Sequence, residues 1–150
     1  MPMIDIGDAR LHYTDEGEGP ETIVFSHGLL MSGGMFSAQV EALKGRYRCI
    51  TYDHRGQGGS AVADDGYDME TLADDAAGLI EALGAGPCHF VGLSMGGFVG
   101  LRLAARRPQL LRSLILVNSS ADPDAADTRK KYKMLNFVAR WFGLGTVVGQ

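Results

Sequence analysis

The chain has 150 residues, of which 45% are apolar, and this suits a single domain with a substantial core. Its net charge of −4 argues against nucleic acid or an anionic membrane surface as a partner. No apolar run has the length of a membrane-spanning helix, and residues 1–8 lack the basic and apolar segments of a signal peptide. Cys49 and Cys88 are too scattered to form a disulfide framework, so we expect a cytoplasmic protein with two free thiols.

Apolar periodicity predicts strands that alternate with helices along the chain. The predicted strands cover residues 4–6, 9–13, 22–26, 47–53, 88–91 and 111–117, and the predicted helices cover residues 35–43, 69–83, 97–107 and 128–142. Asp68 is the expected N-cap of the second helix, and Gly45 and Gly84 follow the ends of the first two. Such alternation indicates a mostly parallel sheet with helices on both faces.

The segment Gly92-Leu93-Ser94-Met95-Gly96 lies where the fifth predicted strand gives way to a helix. A serine in so sharp a turn needs a strained backbone, and side chains at Gly92 and Gly96 would collide with their surroundings. The hydroxyl would then be exposed at the positive end of a helix, where negative charge can develop. The pattern predicts a nucleophile elbow, and the alternative is a glycine-rich turn that only packs tightly.

Two other predicted strand ends carry glycine motifs. His27-Gly28 follows the third strand, and Asp53-x-Arg55-Gly56-x-Gly58-x-Ser60 follows the fourth. With Ser94 after the fifth strand, the three motifs in this order resemble the α/β-hydrolase family. The resemblance extends from the opening strands to Asn118. It implies an α/β fold, with a mostly parallel sheet of about six strands and helices on both faces, equivalent to an α/β-hydrolase core without its C-terminal strands.

The family commonly inserts a helical cap after the sixth strand, over the active site. The predicted helix over residues 128–142 resembles the first element of such a cap. We therefore divide the chain into an N-terminal part of the core, residues 1–127, and the beginning of a helical cap region, residues 128–150. The alternative is a C-terminal helix that docks on the sheet.

The resemblance also assigns the site. Ser94 would be the nucleophile, and the backbone N–H groups of Leu29 and Met95 would form the oxyanion hole. The residues that support the two turns would be His27, Gly28, Gly92 and Gly96. An apolar pocket wall, suited to an acyl group or a small lactone, would come from Leu29, Leu30, Met31, Met35 and Met95.

The catalytic acid and base are expected outside this chain, because family members take them from later strands in the order Ser, Asp, His. A structural role is predicted for each histidine present, namely His12, His27, His54 and His89. Asp122 and Asp124 follow the sixth strand, where some family members place the acid, but the chain offers no base for either to orient.

Residues 56–61 approximate the Gly-x-Gly-x-x-Ala fingerprint of dinucleotide-binding proteins. No helix is predicted to begin there, so nucleotide binding is not favoured. The sequence has neither a phosphate-loop lysine motif nor a cysteine–histidine cluster with metal-ligand spacing. We therefore expect no cofactor and no metal.

The sequence favours a serine hydrolase that acts on a small-molecule ester or lactone through an acyl-enzyme at Ser94, and it resembles small bacterial esterases and enol-lactone hydrolases. A serine at the elbow argues against haloalkane dehalogenases, which use an aspartate there. Two alternatives stay open: a catalytically incomplete half that acts as a binding or folding unit, and cofactor-free haloperoxidase or perhydrolase activity. Residues 114–117 would form an exposed apolar edge, so we expect a second chain carrying the C-terminal half, or another copy of this chain, to cover it.

Overall fold

The computed structural model of the chain describes residues 2–122, together with Lys130, Lys133, Met134 and Phe137. The strands in this part are β1 (Met3–Ile6), β2 (Ala9–Glu16), β3 (Thr22–Ser26), β4 (Arg48–Tyr52), β5 (Cys88–Leu93) and β6 (Leu111–Val117). The α-helices are α1 (Ser37–Leu43), α2 (Met69–Ala82) and α3 (Met95–Arg106), and short 3-10 helices cover Gly33–Phe36 and Pro108–Leu110. Apart from the four positions named, the predicted cap region 128–150 lies outside the described residues.

The six strands form one sheet in the order β1-β2-β4-β3-β5-β6. β1, β2 and β4 pair antiparallel, whereas β4, β3, β5 and β6 pair parallel. This confirms the predicted mostly parallel sheet of about six strands. Because β3, β4 and β5 are parallel neighbours, their carboxyl ends open on the same edge of the sheet, and all three glycine motifs follow these ends.

Helices cover both faces of the sheet, as predicted. Alternate residues of a strand point to opposite faces. On the face covered by α2 and α3, the buried strand residues include Val24, Ile50, Tyr52, Cys88 and Phe90. On the face covered by α1, the buried cluster is Ile23, Phe25, Phe36, Val40 and Cys49.

Both cysteines are free and buried, one on each face of the sheet. Burial raises the pKa of the Cys88 thiol to about 12. Burial, together with the nearby charge of Glu16, also raises the pKa of Cys49. Both side chains therefore remain protonated thiols at neutral pH.

Most predicted elements have a boundary that differs from the observed one by one to three residues, and two of these differences have a clear physical reason. The α3 helix begins at Met95 and not at residue 97, because the helical backbone starts directly after Ser94 while the apolar periodicity becomes visible only from Phe98. The β2 strand continues to Glu16, because Glu16 still pairs with Cys49 of β4 although the local sequence is acidic. The predicted cap of α2 is confirmed, since Asp68 accepts hydrogen bonds from the N–H groups of Glu70 and Thr71.

The β6 strand forms one edge of the sheet and, among the described residues, pairs with β5 alone. Its last three residues, Ile115, Leu116 and Val117, are 49%, 38% and 40% exposed. The apolar edge predicted from the sequence is thus present in this part of the chain. No helix among the described residues is long and apolar enough to cross a bilayer.

Candidate active site

Ser94 lies between β5 and α3, where the elbow motif predicts it. Its φ of 49° and ψ of −111° put a residue with a side chain in the left-handed region, at a cost of about 1–3 kcal/mol. Backbone bonds hold it there: Ser94 N–H donates to the carbonyl of Val117 at 2.9 Å, and Ser94 O accepts from the N–H of Gly97 at 2.9 Å. Ser94 Oγ has no hydrogen-bond partner among the described residues.

The two elbow glycines are required by close backbone contacts. A Cβ on Gly96 would overlap the carbonyl oxygen of Ser26, the last residue of β3. A Cβ on Gly92 would overlap the carbonyl oxygen of Gly96. The first turn of α3 therefore packs directly on the ends of β3 and β5. Tight packing is common to both interpretations of the motif, and the positive φ of Ser94 is the feature that favours the elbow.

The two candidate oxyanion donors lie at equivalent positions beyond neighbouring strands. Ser26 of β3 pairs with Gly92 of β5, and Leu29 and Met95 each lie three residues after this pair. Paired strands are about 4.8 Å apart. Neither the N–H of Leu29 nor that of Met95 donates a hydrogen bond within the described residues. Both donors are therefore available to a ligand near Ser94.

His27 orients the peptide group that carries the Leu29 N–H. Its Nδ1 donates to the carbonyl of Gly28 at 2.7 Å, and its Nε2 accepts from the N–H of His54 at 3.0 Å. This pattern requires a neutral ring with the proton on Nδ1, and burial lowers the pKa of His27 in agreement. Because C=O and N–H point in opposite directions in a trans peptide, the Leu29 N–H points away from the imidazole.

A buried polar network lies behind the start of α3. The hydroxyl of Ser26 lies 2.9 Å from Tyr52 Oη and 3.0 Å from His54 Nε2. The His54 ring packs edge-on against His27, with ring centroids 4.6 Å apart. Burial and the neighbouring His27 lower the pKa of His54 to about 3, so this ring is neutral at ordinary pH. His54 Nδ1 is buried without a partner among the described residues.

The loop after β4 is held by its own acidic residue. Asp53 Oδ1 accepts from the N–H of Gly33 at 2.6 Å, and Oδ2 accepts from the N–H of Gly59 at 2.8 Å. His12 Nδ1 lies 2.9 Å from the same Oδ2. Burial alone would raise the pKa of Asp53, but these donors outweigh it and hold the pKa below its usual value. Asp53 is thus a structural carboxylate.

Arg55 anchors the same loop to the rest of the fold. It is 1% exposed and donates to both carboxylate oxygens of Asp75 on α2 at 2.7 Å. Its guanidinium also reaches Asp8, in the turn between β1 and β2, at 3.1 Å. These two carboxylates raise the pKa of Arg55, which is always charged. The motif after β4 therefore serves the architecture, and α2 begins only at Met69, which argues against a dinucleotide site at residues 56–61.

No catalytic base contacts Ser94 in the described part of the chain. Each histidine has other partners: His12 bonds Asp53, His27 and His54 bond as above, and His89 Nδ1 lies 2.8 Å from Ser113 Oγ. Asp122 is exposed and bonds to Ser120, and Asp124 lies outside the described residues. Among the described residues, no group of acidic, histidine or cysteine side chains is arranged to hold a metal.

The predicted apolar wall is only partly present. Leu29, Leu30 and Met31 are 53%, 48% and 44% exposed and so remain available to a ligand. The prediction is wrong for the side chain of Met95, which is 6% exposed and belongs to the core under α2 and α3. Met35 packs against the buried cluster on the α1 face. The reason is helical geometry, because the first residue of α3 turns its side chain back onto the sheet.

One contact of the loop after β3, residues 27–33, could not be predicted from the sequence; we call this segment the oxyanion loop after the expected role of Leu29. Gln57 Oε1 accepts a hydrogen bond from the N–H of Leu30 at 2.7 Å, across 27 positions of sequence. No local pattern identifies such a contact, since it depends on how two loops meet.

Residues 21–147 match a family model described as alpha/beta hydrolase fold. A protein of Pantoea ananatis named "Putative carbamate hydrolase RutD" is 46% identical over 99 residues, which cover 65% of this chain and 36% of that protein. Two solved structures align with TM-scores of 0.89. A thermophilic esterase from Thermogutta terrifontis is 31% identical, with 98% of this chain and 56% of that chain covered. An enol-lactonase from Burkholderia xenovorans LB400 is 32% identical, with 97% and 56% covered. The chain thus spans about half the length of these solved relatives and less of the curated one.

The Gly96→Ala substitution tests the packing of the elbow. The added methyl group would overlap the Ser26 carbonyl, so we expect a loss of about 1–3 kcal/mol in the free energy of unfolding, measured by urea titration. Gly45→Ala is the matched control, because a Cβ at Gly45 meets nothing within 4 Å and we expect a change of at most about 0.5 kcal/mol. Equal effects of the two substitutions would contradict the close contact.

The buried histidines make stability depend on pH. In the unfolded chain they gain protons near their usual pKa of 6.5, whereas the folded chain resists protonation, so stability falls as the pH is lowered from about 6.5 towards 3. Each histidine contributes a slope of at most about 1.4 kcal/mol per pH unit.

We expect urea unfolding of His54→Asn to show a smaller loss of stability between pH 6.5 and 5 than the wild-type chain. Asp53 does not interfere, because its lowered pKa confines its titration to more acidic conditions. An unchanged slope in the variant would mean that His54 is not held neutral by burial.

Proposed function

The chain belongs to the α/β-hydrolase fold family, and we propose that it provides the nucleophile and the oxyanion donors of a serine hydrolase acting on carboxylic esters or lactones. The observation that carries this proposal is the strained Ser94 at the N-terminus of α3, whose hydroxyl has no hydrogen-bond partner in the part of the chain that the structure describes. A serine held at this backbone cost, next to two unpaired N–H groups, is suited to covalent catalysis.

In the proposed reaction, Ser94 Oγ attacks the carbonyl carbon while a histidine takes the hydroxyl proton. The carbonyl π electrons move to oxygen, and the N–H groups of Leu29 and Met95 stabilise the resulting charge. Collapse of this intermediate breaks the bond to the alcohol oxygen, which leaves with the proton from the histidine. Water then attacks the acyl-enzyme by the same route and releases the acid. Each oxyanion donor is worth about 2.7–4 kcal/mol in reactions of this type.

We propose that the catalytic aspartate and histidine lie outside these 150 residues. Two observations support this: the chain spans 56% of each of the two solved relatives, and the four histidines of the described part are engaged elsewhere. The exposed apolar edge of β6 is a suitable surface for a second chain carrying the C-terminal half, or for another copy of this chain.

The proposed substrate class follows from the surface near the oxyanion loop. Leu29, Leu30 and Met31 are exposed and apolar, and no charged side chain bonds Ser94 among the described residues. An apolar acyl group or a lactone ring would bury this surface, whereas a charged acyl group would lose solvation without a partner. Relatives that carry the names esterase and enol-lactonase agree with this class.

Ser94 is tested by the intact mass of the chain after treatment with a fluorophosphonate probe, in a sample that retains any co-purifying polypeptide. We expect one probe adduct on the wild-type chain, none on Ser94→Ala, and an unchanged adduct on the control Ser120→Ala, since Ser120 is an exposed loop serine. An adduct that persists in Ser94→Ala would contradict the assignment. If the chain purifies without a second polypeptide, binds a small ester and is not labelled by the probe, it acts as a binding unit and not as an enzyme.

Carbamate hydrolysis is a second candidate, favoured by the 46% identity to the protein named as a carbamate hydrolase. The same site chemistry applies, because a carbamate carbonyl also passes through an oxyanion after attack by a serine. The carbamate nitrogen donates electron density to the carbonyl carbon, so a carbamate hydrolase depends more strongly on its oxyanion donors.

Matched substrates separate the two candidates. We expect the active enzyme to have a kcat/KM at least about tenfold higher for an aryl ester than for an aryl carbamate with the same leaving group, with Ser94→Ala inactive on both. A lactone of similar size completes the set. A preference for the carbamate would replace the ester proposal with the second candidate.

A further inference from the structure

The oxyanion loop contains an unusual backbone conformation one residue after the proposed donor. Leu30 has a φ of 59°, in the left-handed region that residues with side chains rarely adopt. A residue stays in this region only where its surroundings hold it. Two hydrogen bonds hold it here: the Leu30 N–H donates to Gln57 Oε1 at 2.7 Å, and the Met31 N–H donates to the carbonyl of Gly28 at 3.3 Å across the turn.

Gln57 is itself firmly placed in the loop after β4. Its N–H donates to the carbonyl of His54 at 2.9 Å, and its own carbonyl accepts from the N–H of Ser60 at 3.0 Å. The residue is half-buried, and its hydrogen bond to Leu30 lies at the surface. A fixed backbone therefore presents the Oε1 acceptor to Leu30.

The loop after β4 also contacts the oxyanion loop at a second point. There, Asp53 Oδ1 accepts a hydrogen bond from the N–H of Gly33 at 2.6 Å. At the other end, His27 fixes the carbonyl of Gly28. Gln57 acts between these points, on the peptide group that joins Leu29 to Leu30. When the plane of the Leu29–Leu30 peptide group is fixed, the ψ angle of Leu29 is restricted as well. This restricts where the Leu29 N–H can lie relative to the exposed side chains of Leu29 and Leu30.

We propose that Gln57 is a positioning residue of the active site, which holds the oxyanion donor Leu29 in place through the N–H of Leu30. This inference rests on the proposed function, because Leu29 matters only if an oxyanion forms beside Ser94. Gln57 does not touch the substrate. Its effect is to keep the donor from moving away as charge develops.

The test compares two replacements of nearly the same size in the active enzyme. Gln57→Met removes the acceptor, and we expect kcat for an ester to fall by about 10- to 100-fold with little change in KM, because the donor acts in the transition state. Gln57→Glu keeps an acceptor oxygen, and we expect activity within about threefold of the wild type. Gln39→Met is the matched control, since Gln39 is exposed on α1 and we expect no change.

Amide hydrogen exchange provides a readout that does not depend on catalysis. We expect the Leu30 amide to exchange at least tenfold faster in Gln57→Met than in the wild type, and at the wild-type rate in Gln57→Glu. Unchanged exchange at Leu30 in Gln57→Met would overturn the proposal. Faster exchange with an unchanged kcat would also overturn it, provided that Ser94→Ala is inactive. If Ser94→Ala stays active, the proposed function itself is wrong. The Ser94→Ala variant is therefore assayed before the Gln57 variants are compared.

Discussion

The first turn of α3 lies against the carbonyl end of β3 with no room for a side chain between them. This contact, at Gly96 and Ser26, sets the distance between the helix and the sheet and so determines where the chain must turn. The turn leaves Ser94 at a φ of 49°, held by backbone bonds to β6 and to α3. Ser94 is half-buried there, and within the described part of the chain its hydroxyl and the N–H of Met95 have no hydrogen-bond partner. Both features, and the closeness of Met95 to the loop after β3, follow from this one backbone approach.

Around this contact the polar residues divide into two groups. Asp53, Arg55, His27 and His54 are residue types that can serve in catalysis, yet each is engaged in structural hydrogen bonds or held neutral by burial. They fix the loops after β3 and β4 in relation to each other. Among the described residues, the hydroxyl of Ser94 and the N–H groups of Leu29 and Met95 are left without a hydrogen-bond partner at the candidate site. Rigidity of the surroundings is what keeps such unpaired groups at fixed positions.

The sequence predicted the sheet, its two helical faces and the position of the elbow, because these depend on local periodicity and on glycines whose need is visible in the chain itself. It missed what depends on contacts between distant segments. The side chain of Met95 points into the core because α3 begins two residues early. The N–H of Leu30, a residue in the left-handed region, is accepted by Gln57, 27 positions away. The division at residue 127 and the supply of an acid and a base from elsewhere stay predictions, since they concern residues outside the described part.

The two cysteines give each face of the sheet its own chemical reporter. Cys49 lies under α1 and Cys88 under α2 and α3, and both thiols resist ionisation while they are buried. An alkylating reagent therefore reacts with either one only when the helical layer above it opens. The rates of modification at the two positions would show whether the layers open together or separately, and the native chain needs no added label for this purpose.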